Sequence, residues 1–538
     1  MRRLPGALAV AAVCASLTAG AGALEGGGTA EAATTAAGFY INGAGFGHGV
    51  GMSQYGALGF ALHGYSYRSI LSHYYRDTSL SGVSPTRVVT VLLGNGAASF
   101  RGANRLSGGR VVWEEPGKTG KKGKPGKKPT QKPDTLKPNT TYSVLSSGGL
   151  LNLVAHGRKV AAVRPPLAVG GNGPVSLLGV GSYHGQLQFR PGPHGGVQTV
   201  NAVDLEDYVR GVIPSEMPSS WPAQALEAQA VAARTFVTAV PAASPEFDVY
   251  SDTRSQVYGG VAAETPSGDA AEAATRGQVV DYAGRPAITY FFSSSGGHTE
   301  SVQNVFLGVT PEAWLIGVPD PYDDSDGNPY YRWHENLSVG AAARTLGSLV
   351  KGRLEGIKVL QHGVSPRIVQ AAVVGTKGAS DVSGPQLRKL FDLRSTYVSF
   401  MTIKTKSVTS TTPTVSTKSA APKAGSPKRG APTTSSVGKP KAGATTRTVT
   451  TPNASSSGGG GLVARARRRA KIHHELQGTT FPAVTGQTIL AERLVAGGWR
   501  RAGLGRLTAE GSYDIPVADR GLYRVVYQGV DGPAVTVK

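Results

Sequence analysis

The chain has 538 residues, with 56 Lys or Arg against 34 Asp or Glu and a formal net charge of +22. That length implies two or three domains, and a single cysteine, Cys14, excludes a disulfide-stapled scaffold. Two spans hold most of the excess charge: residues 118–137 carry eight lysines and one acid, and residues 404–471 carry fourteen Lys or Arg and no acid, so the folded parts read as near neutral and a nucleic-acid groove is disfavoured.

In chain order, Met1-Arg2-Arg3, an Ala/Val/Leu run and Ala30-Glu31-Ala32 read as a secretory signal over residues 1–33. The mature protein is therefore expected outside the cell or in its wall, without Cys14 and without disulfides. No second apolar run reaches the roughly 18 residues that span a bilayer, so no membrane attachment is expected after signal removal. Phe39-Tyr40-Ile41 reads as a short strand, followed by the glycine-rich GAGFGHGVGMSQYGA and by two helices, one through Ala61 and one over Ser66 to Tyr75. This turn lacks the Lys-Ser/Thr ending of a phosphate loop. The polar groups it presents are His48 and Gln54.

From Thr86 to Val203 apolar alternation predicts a run of strands. The Lys-rich stretch 116–138 interrupts them as a disordered surface insertion. Strands are expected again over Val249 to Gly260 and Gln278 to Gly296, the second ending in the small-residue loop Ser293-Ser294-Ser295-Gly296-Gly297-His298. A Ser295–His298 nucleophile pair lacks the G-x-S-x-G elbow, which disfavours a serine hydrolase. Residues 401–472, rich in Pro, Ser, Thr and Lys, read as a disordered linker, and residues 473–538 as a small β-sandwich accessory domain.

The stretch from Asp204 to Val240 organises the rest. Asp204, Glu206 and Asp207 suit a helix start. Ser220, ahead of Trp221-Pro222, suits the cap of a long Ala-rich helix whose stripe is Leu226, Ala230, Ala233 and Val237. Gln229 and Arg234 edge that stripe and are expected to line a cleft. Glu216 lies between Pro214 and Pro218 among Val212, Ile213, Met217 and Trp221. Two settings are open for it: a desolvated carboxyl with a raised pKa, fit for general acid work, or a solvated Glu favoured by the following helix dipole.

YVRGVIPSEMPSSWPAQALEAQAVAARTF, with SQVYGG at 255–260, TRGQVVDYAGRPAITYFFSSSGGHTES at 275–301 and VSGPQLRKLFDLRSTYVSF at 382–400, resembles the SpoIID/LytB family of sporulation lytic transglycosylases and amidase enhancers. The family signature GHGVGMSQYGA stands here at 47–57, ahead of these segments instead of after them, which implies a circular permutation. The resemblance implies a sugar-binding catalytic domain over residues 38–400, with Glu216 as its acid/base and Ser294, Ser295, His298, His48 and Gln54 among its substrate contacts. Some relatives bind zinc beside the QVY motif through cysteine; Ser255 stands there here, so no metal and no other cofactor is expected. The family helix carries Lys where this one has Glu227, which puts activity in question.

The expected fold class is thus α+β: a β-rich domain with an Ala-rich central helix and a small C-terminal all-β, sandwich-like domain. The expected function is lytic transglycosylation of peptidoglycan glycan strands, the alternative a non-catalytic enhancer of a wall amidase. The basic linkers are expected to meet anionic wall polymers.

Overall fold

A computed structural model of the chain describes residues 37–107, 135–410 and 471–538. The signal segment, nearly all of the Lys-rich insertion and the middle of the linker lie outside the described residues. The fold is mixed, as expected, with strands outnumbering helices.

Two six-stranded sheets form a β lobe. One orders strands 249–250, 88–96, 197–204, 186–191, 167–170 and 105–107; the other orders 181–183, 175–177, 98–101, 142–147, 150–155 and 158–163. Inward residues of both, among them Phe100, Leu153, Val169 and Phe189, share one core. Only the first two residues of the expected 249–260 strand pair in a sheet, and a helix over Pro266–Ala274 follows. Within 278–296, strands are confined to Gln278–Tyr282, Arg285–Pro286 and Phe291–Phe292, with an isolated bridge from Ser294 to Phe46.

Helices α1 (Gln54–Leu62), α2 (Tyr67–Tyr74), α3 (Leu205–Glu216) and α4 (Ala223–Ala239) cover the lobe. The α4 stripe of Leu226, Ala230, Ala233 and Val237 enters the lobe core as expected. Ala228, Val231 and Ala232 enter a second core with Ile70, Leu71 and Tyr74 of α2. An α-helix covered on two sides needs small residues on both, which is why alanine dominates α4. Its N-cap is Pro222, and no side chain caps it, so the expected Ser220 cap does not form. Ser66 does cap α2, its hydroxyl accepting from Ser69 N–H.

The C-terminal unit is not separate from the main domain. Strand 398–410 pairs with strand 471–481, Phe400 opposite Phe481, and one sheet runs in the order 333–338, 37–43, 398–410, 471–481, 512–517. The expected linker limits at 401 and 472 therefore fall inside strands. Tyr40, Met401 and Ile403 pack into the core of the C-terminal strands, while Phe39 and Ile41 face the opposite core. A strand buried on both faces reads as an unbroken apolar run, as Phe39-Tyr40-Ile41 does.

The same pairing bears on the displaced signature. Strand 37–43 lies antiparallel to 398–404, Gly43 opposite Val398 and Ala37 opposite Lys404, and Ala44 N–H donates to Tyr397 C=O at 2.9 Å. A hairpin from Lys404 to Ala37 would restore the order of the family the motifs resemble. That geometry is what a circular permutation requires.

Candidate active site

Glu216 ends α3, whose last turn contains Pro214, instead of sitting in a loop between prolines. Segment 255–260 forms a strap across that helix end. Gly259 N–H donates to Gly211 C=O at 3.1 Å, and Tyr208 Oη donates to Gln256 Oε1 at 2.8 Å. A Cβ on Gly211 would lie 2.6 Å from the Tyr258 ring, so only glycine admits the strap. The strap delivers Val257 N–H to Glu216 Oε1 at 2.6 Å. Burial pushes the Glu216 carboxyl up to about 7, against the opposing pull of the Val257 hydrogen bond. Of the two settings the sequence left open, the desolvated one is observed.

The glycine-rich turn reaches the same place. Gly45, Gly47, Gly49 and Gly51 all have positive φ, and a Cβ on Gly51 would lie 2.1 Å from the Tyr290 carbonyl oxygen. The turn zips onto the Ser-Gly-Gly loop: Phe46 and Ser294 exchange backbone hydrogen bonds of 2.8 and 3.0 Å, and Tyr55 N–H donates to Ser293 C=O at 2.9 Å. Gln54, at the start of α1, donates from Nε2 to the backbone carbonyl of Glu216 at 2.9 Å. Beside it runs a row of half-buried rings. Tyr55 meets Trp221 edge-on at 5.1 Å and Tyr330 at 6.0 Å, and Tyr330 meets Phe46 at 4.8 Å.

Residues 193–282, which hold α3, Glu216, α4 and the strap, match the family model for SpoIID, described as stage II sporulation protein. The chain carries a SpoIID-family domain. It is similar to the stage II sporulation protein D of Bacillus subtilis, 28% identical over 215 residues that make up 37% of this chain and 60% of that protein. It is also similar to the amidase enhancer of the same species, 38% identical over 120 residues, 22% of this chain and 16% of that protein. An uncharacterized protein of Brachyspira hyodysenteriae is 42% identical over 139 residues, 25% of this chain and 37% of that protein. The chain thus spans less than two thirds of each of these relatives.

The remaining expected contacts of the SpoIID domain divide sharply. Arg234 is fully buried, its Nε 3.0 Å from Glu206 Oε1 and its Nη2 2.6 Å from Glu206 Oε2, so it stabilises the fold and has no face toward a cleft. It does not pair with Glu227, whose Oε2 accepts from Gln224 at 2.8 Å. Gln229 is also fully buried, with neither amide atom hydrogen-bonded to protein. Both expectations assumed a helix with one covered face. The second core on α4 places its stripe edges inside the protein.

Ser294 and Ser295 are buried as well. Ser294 Oγ donates to Asp323 Oδ2 at 2.8 Å, and Ser295 Oγ accepts from Gly297 N–H at 2.9 Å. Asp323 ties the loop to the glycine turn by also accepting from Ser53 Oγ at 2.7 Å. These serines hold the loop's shape and are not presented for sugar contact. His298 is half-exposed, its Nδ1 2.7 Å from Thr299 C=O, with no hydrogen bond to Ser295. His48 packs on Tyr290, Phe292 and Phe306, and burial pulls its imidazole down to about 3. Its Nδ1 accepts Val50 N–H at 3.0 Å, so it is a neutral fixture of the turn. Of the expected contacts, Gln54 alone is hydrogen-bonded to Glu216. The aromatic row and Val257 carried no residue-level signal beyond the motifs that contain Tyr55, Trp221 and Val257.

Proposed function

We propose that this protein is an exported peptidoglycan lytic transglycosylase with Glu216 as its single acid/base. The observation that carries the reading is a carboxyl that burial raises to about 7, with Oε1 held by Val257 N–H at the end of α3. Ordinary glycosidases work with two carboxyl groups about 5–10 Å apart. Here the other acids nearby in sequence are committed elsewhere, Glu206 to Arg234 and Asp207 to Arg210. One acid suffices when the substrate supplies its own nucleophile. Glu216 donates its proton to the glycosidic oxygen between N-acetylmuramic acid and N-acetylglucosamine as that bond breaks. The resulting carboxylate accepts the proton of the muramic 6-hydroxyl as its oxygen bonds to C1, giving the 1,6-anhydro ring and restoring the acid.

Because the acid form starts the reaction, the rate should be flat below about pH 6 and fall about tenfold per unit above pH 7. A rate still rising through pH 8 on purified glycan would contradict this assignment.

The ring row suits stacking against the apolar faces of pyranoses. Trp221→Ala and Tyr330→Ala should each raise KM about fivefold to tenfold, with kcat changed less, in an anhydro-muramic release assay. Equal loss in kcat alone would remove the rings from substrate binding.

A second reading, a binder that stimulates a wall amidase, is supported by Glu227 at the family's Lys position and by the similarity to a protein named amidase enhancer. Denuded glycan incubated with this protein alone separates the two. Anhydro ends mean an enzyme; an effect seen only with added amidase means an enhancer.

A further inference from the structure

Residues 78–107 and 135–204 supply all but one strand of the two six-stranded sheets, and contain eight Lys or Arg against one acid, Asp204. The lobe is therefore cationic on its own, within folded parts that are near neutral in sum. Nearby acids are engaged at its borders: Glu264 lies 2.9 Å from His184, and Asp248 accepts from Thr90 N–H at 2.8 Å.

The charges converge at one place. Gly102 N–H donates to Pro138 C=O at 2.9 Å, Leu136 N–H to Asn104 C=O at 3.0 Å, and Asn104 N–H to Gly170 C=O at 3.0 Å. These bonds draw Arg101, Arg105 and Lys137, all exposed, to one end of the lobe beside the glycine turn 170–173. None of the three has an ion pair among the described residues. A cavity of about 340 Å³ opens there, lined by Arg105, Ser107, Asn172, His184 and Gln186 with bare glycine backbone between them. Thr135 bridges Arg105 at this rim.

The ligand this favours is a polyanion, and its kind is narrowed by the rings. Phe100, Tyr142, Tyr183 and Phe189, the Phe and Tyr residues of the described lobe, are all buried and give a nucleobase no Phe or Tyr platform. We propose that this acid-poor lobe, anchored at the cavity around Arg105, is a second binding surface that docks a base-free phosphodiester polymer of the poly(glycerol phosphate) kind. None of the cavity's lining residues belongs to the Glu216 site, so docking and catalysis stand or fall separately.

The test is an anisotropy titration of the full chain with labelled poly(glycerol phosphate) over a series of salt concentrations. The double variant Arg101→Gln/Arg105→Gln should bind about tenfold more weakly at low salt, and the slope of log affinity against log salt should shrink by about 1.4, near 0.7 per lost contact. Arg105→Gln alone should lose about half of that slope, which keeps the test alive should the double variant fold poorly. The same losses should appear when residues 411–470 are replaced by a short turn between the paired ends Ser410 and Lys471. Unchanged affinity and slope in the arginine variants would overturn the proposal. So would complete loss of binding on removing 411–470, or tighter binding of single- or double-stranded DNA than of the polymer.

Discussion

Glu216→Gln should abolish release of anhydro-muropeptides or anhydro-glycans from purified wall, a loss of at least 10²–10⁴-fold, the usual contribution of a positioned general acid. The amide keeps the shape and can still accept Val257 N–H, so the strap over residues 255–260 should stay in place. Folding therefore provides a control with the opposite sign. A carboxyl whose folded pKa is raised from 4.5 to about 7 binds its proton more tightly in the native state. The stability due to that proton is present below about pH 4.5 and is lost as pH rises through 7. At pH 8 the Gln variant should thus be more stable than the parent, by up to about 3 kcal/mol. An inactive variant that is more stable at pH 8 locates the defect in chemistry. Full activity in a folded Glu216→Gln protein would rule out the acid/base role of Glu216 and assign the proton transfers to another group.

Arg234→Ala should have the largest effect on stability, about 3–5 kcal/mol by denaturant unfolding, because it leaves Glu206 charged and unpaired in the core. Its guanidinium makes a two-pronged contact with that carboxylate and also donates to Gln278 C=O at 3.1 Å. Glu206 in turn accepts Gly277 N–H at 2.9 Å, so the pair fastens α3, α4 and the strand at 278–282 together. A substrate-binding Arg would behave differently, raising KM with the melting temperature nearly unchanged. If Arg234→Ala is as stable as the parent but binds glycan poorly, the buried assignment is mistaken.

These two residues also show where reading the chain succeeds. Both stand in one motif, and both were candidates on the same grounds of type and position. Glu216 has the desolvated setting read for it because short-range features supply it: apolar neighbours, a proline-bearing helix end, and a strap motif that reads as one block. Arg234 does not have the setting read for it, because its surroundings depend on what packs against α4 from the far side. The α4 stripe was legible as periodicity; the second core, built from α2 and residues around Val302 and Leu315, comes from segments far apart in sequence. Ser294 and Ser295 follow the same logic. A small-residue loop after a buried strand suits function or tight packing equally, and Asp323 decides for packing.

By itself, then, the sequence determined the α+β class, the strand-rich run before Asp204, the Ala-rich helix with its apolar stripe, the glycine turn and the apolar setting of Glu216. Each of these is set by neighbours within a few residues: alternation, capping, backbone freedom and local apolarity. Only the tertiary structure decided that strands 471–481 and 512–517 share a sheet with strand 37–43, that Arg234 and Gln229 are interior, and that Arg105 lines a cavity with His184 and the glycine turn 170–173. Those outcomes depend on which surfaces meet. Burial and charge pairing are properties of contacts between distant segments, and no local pattern encodes the partner.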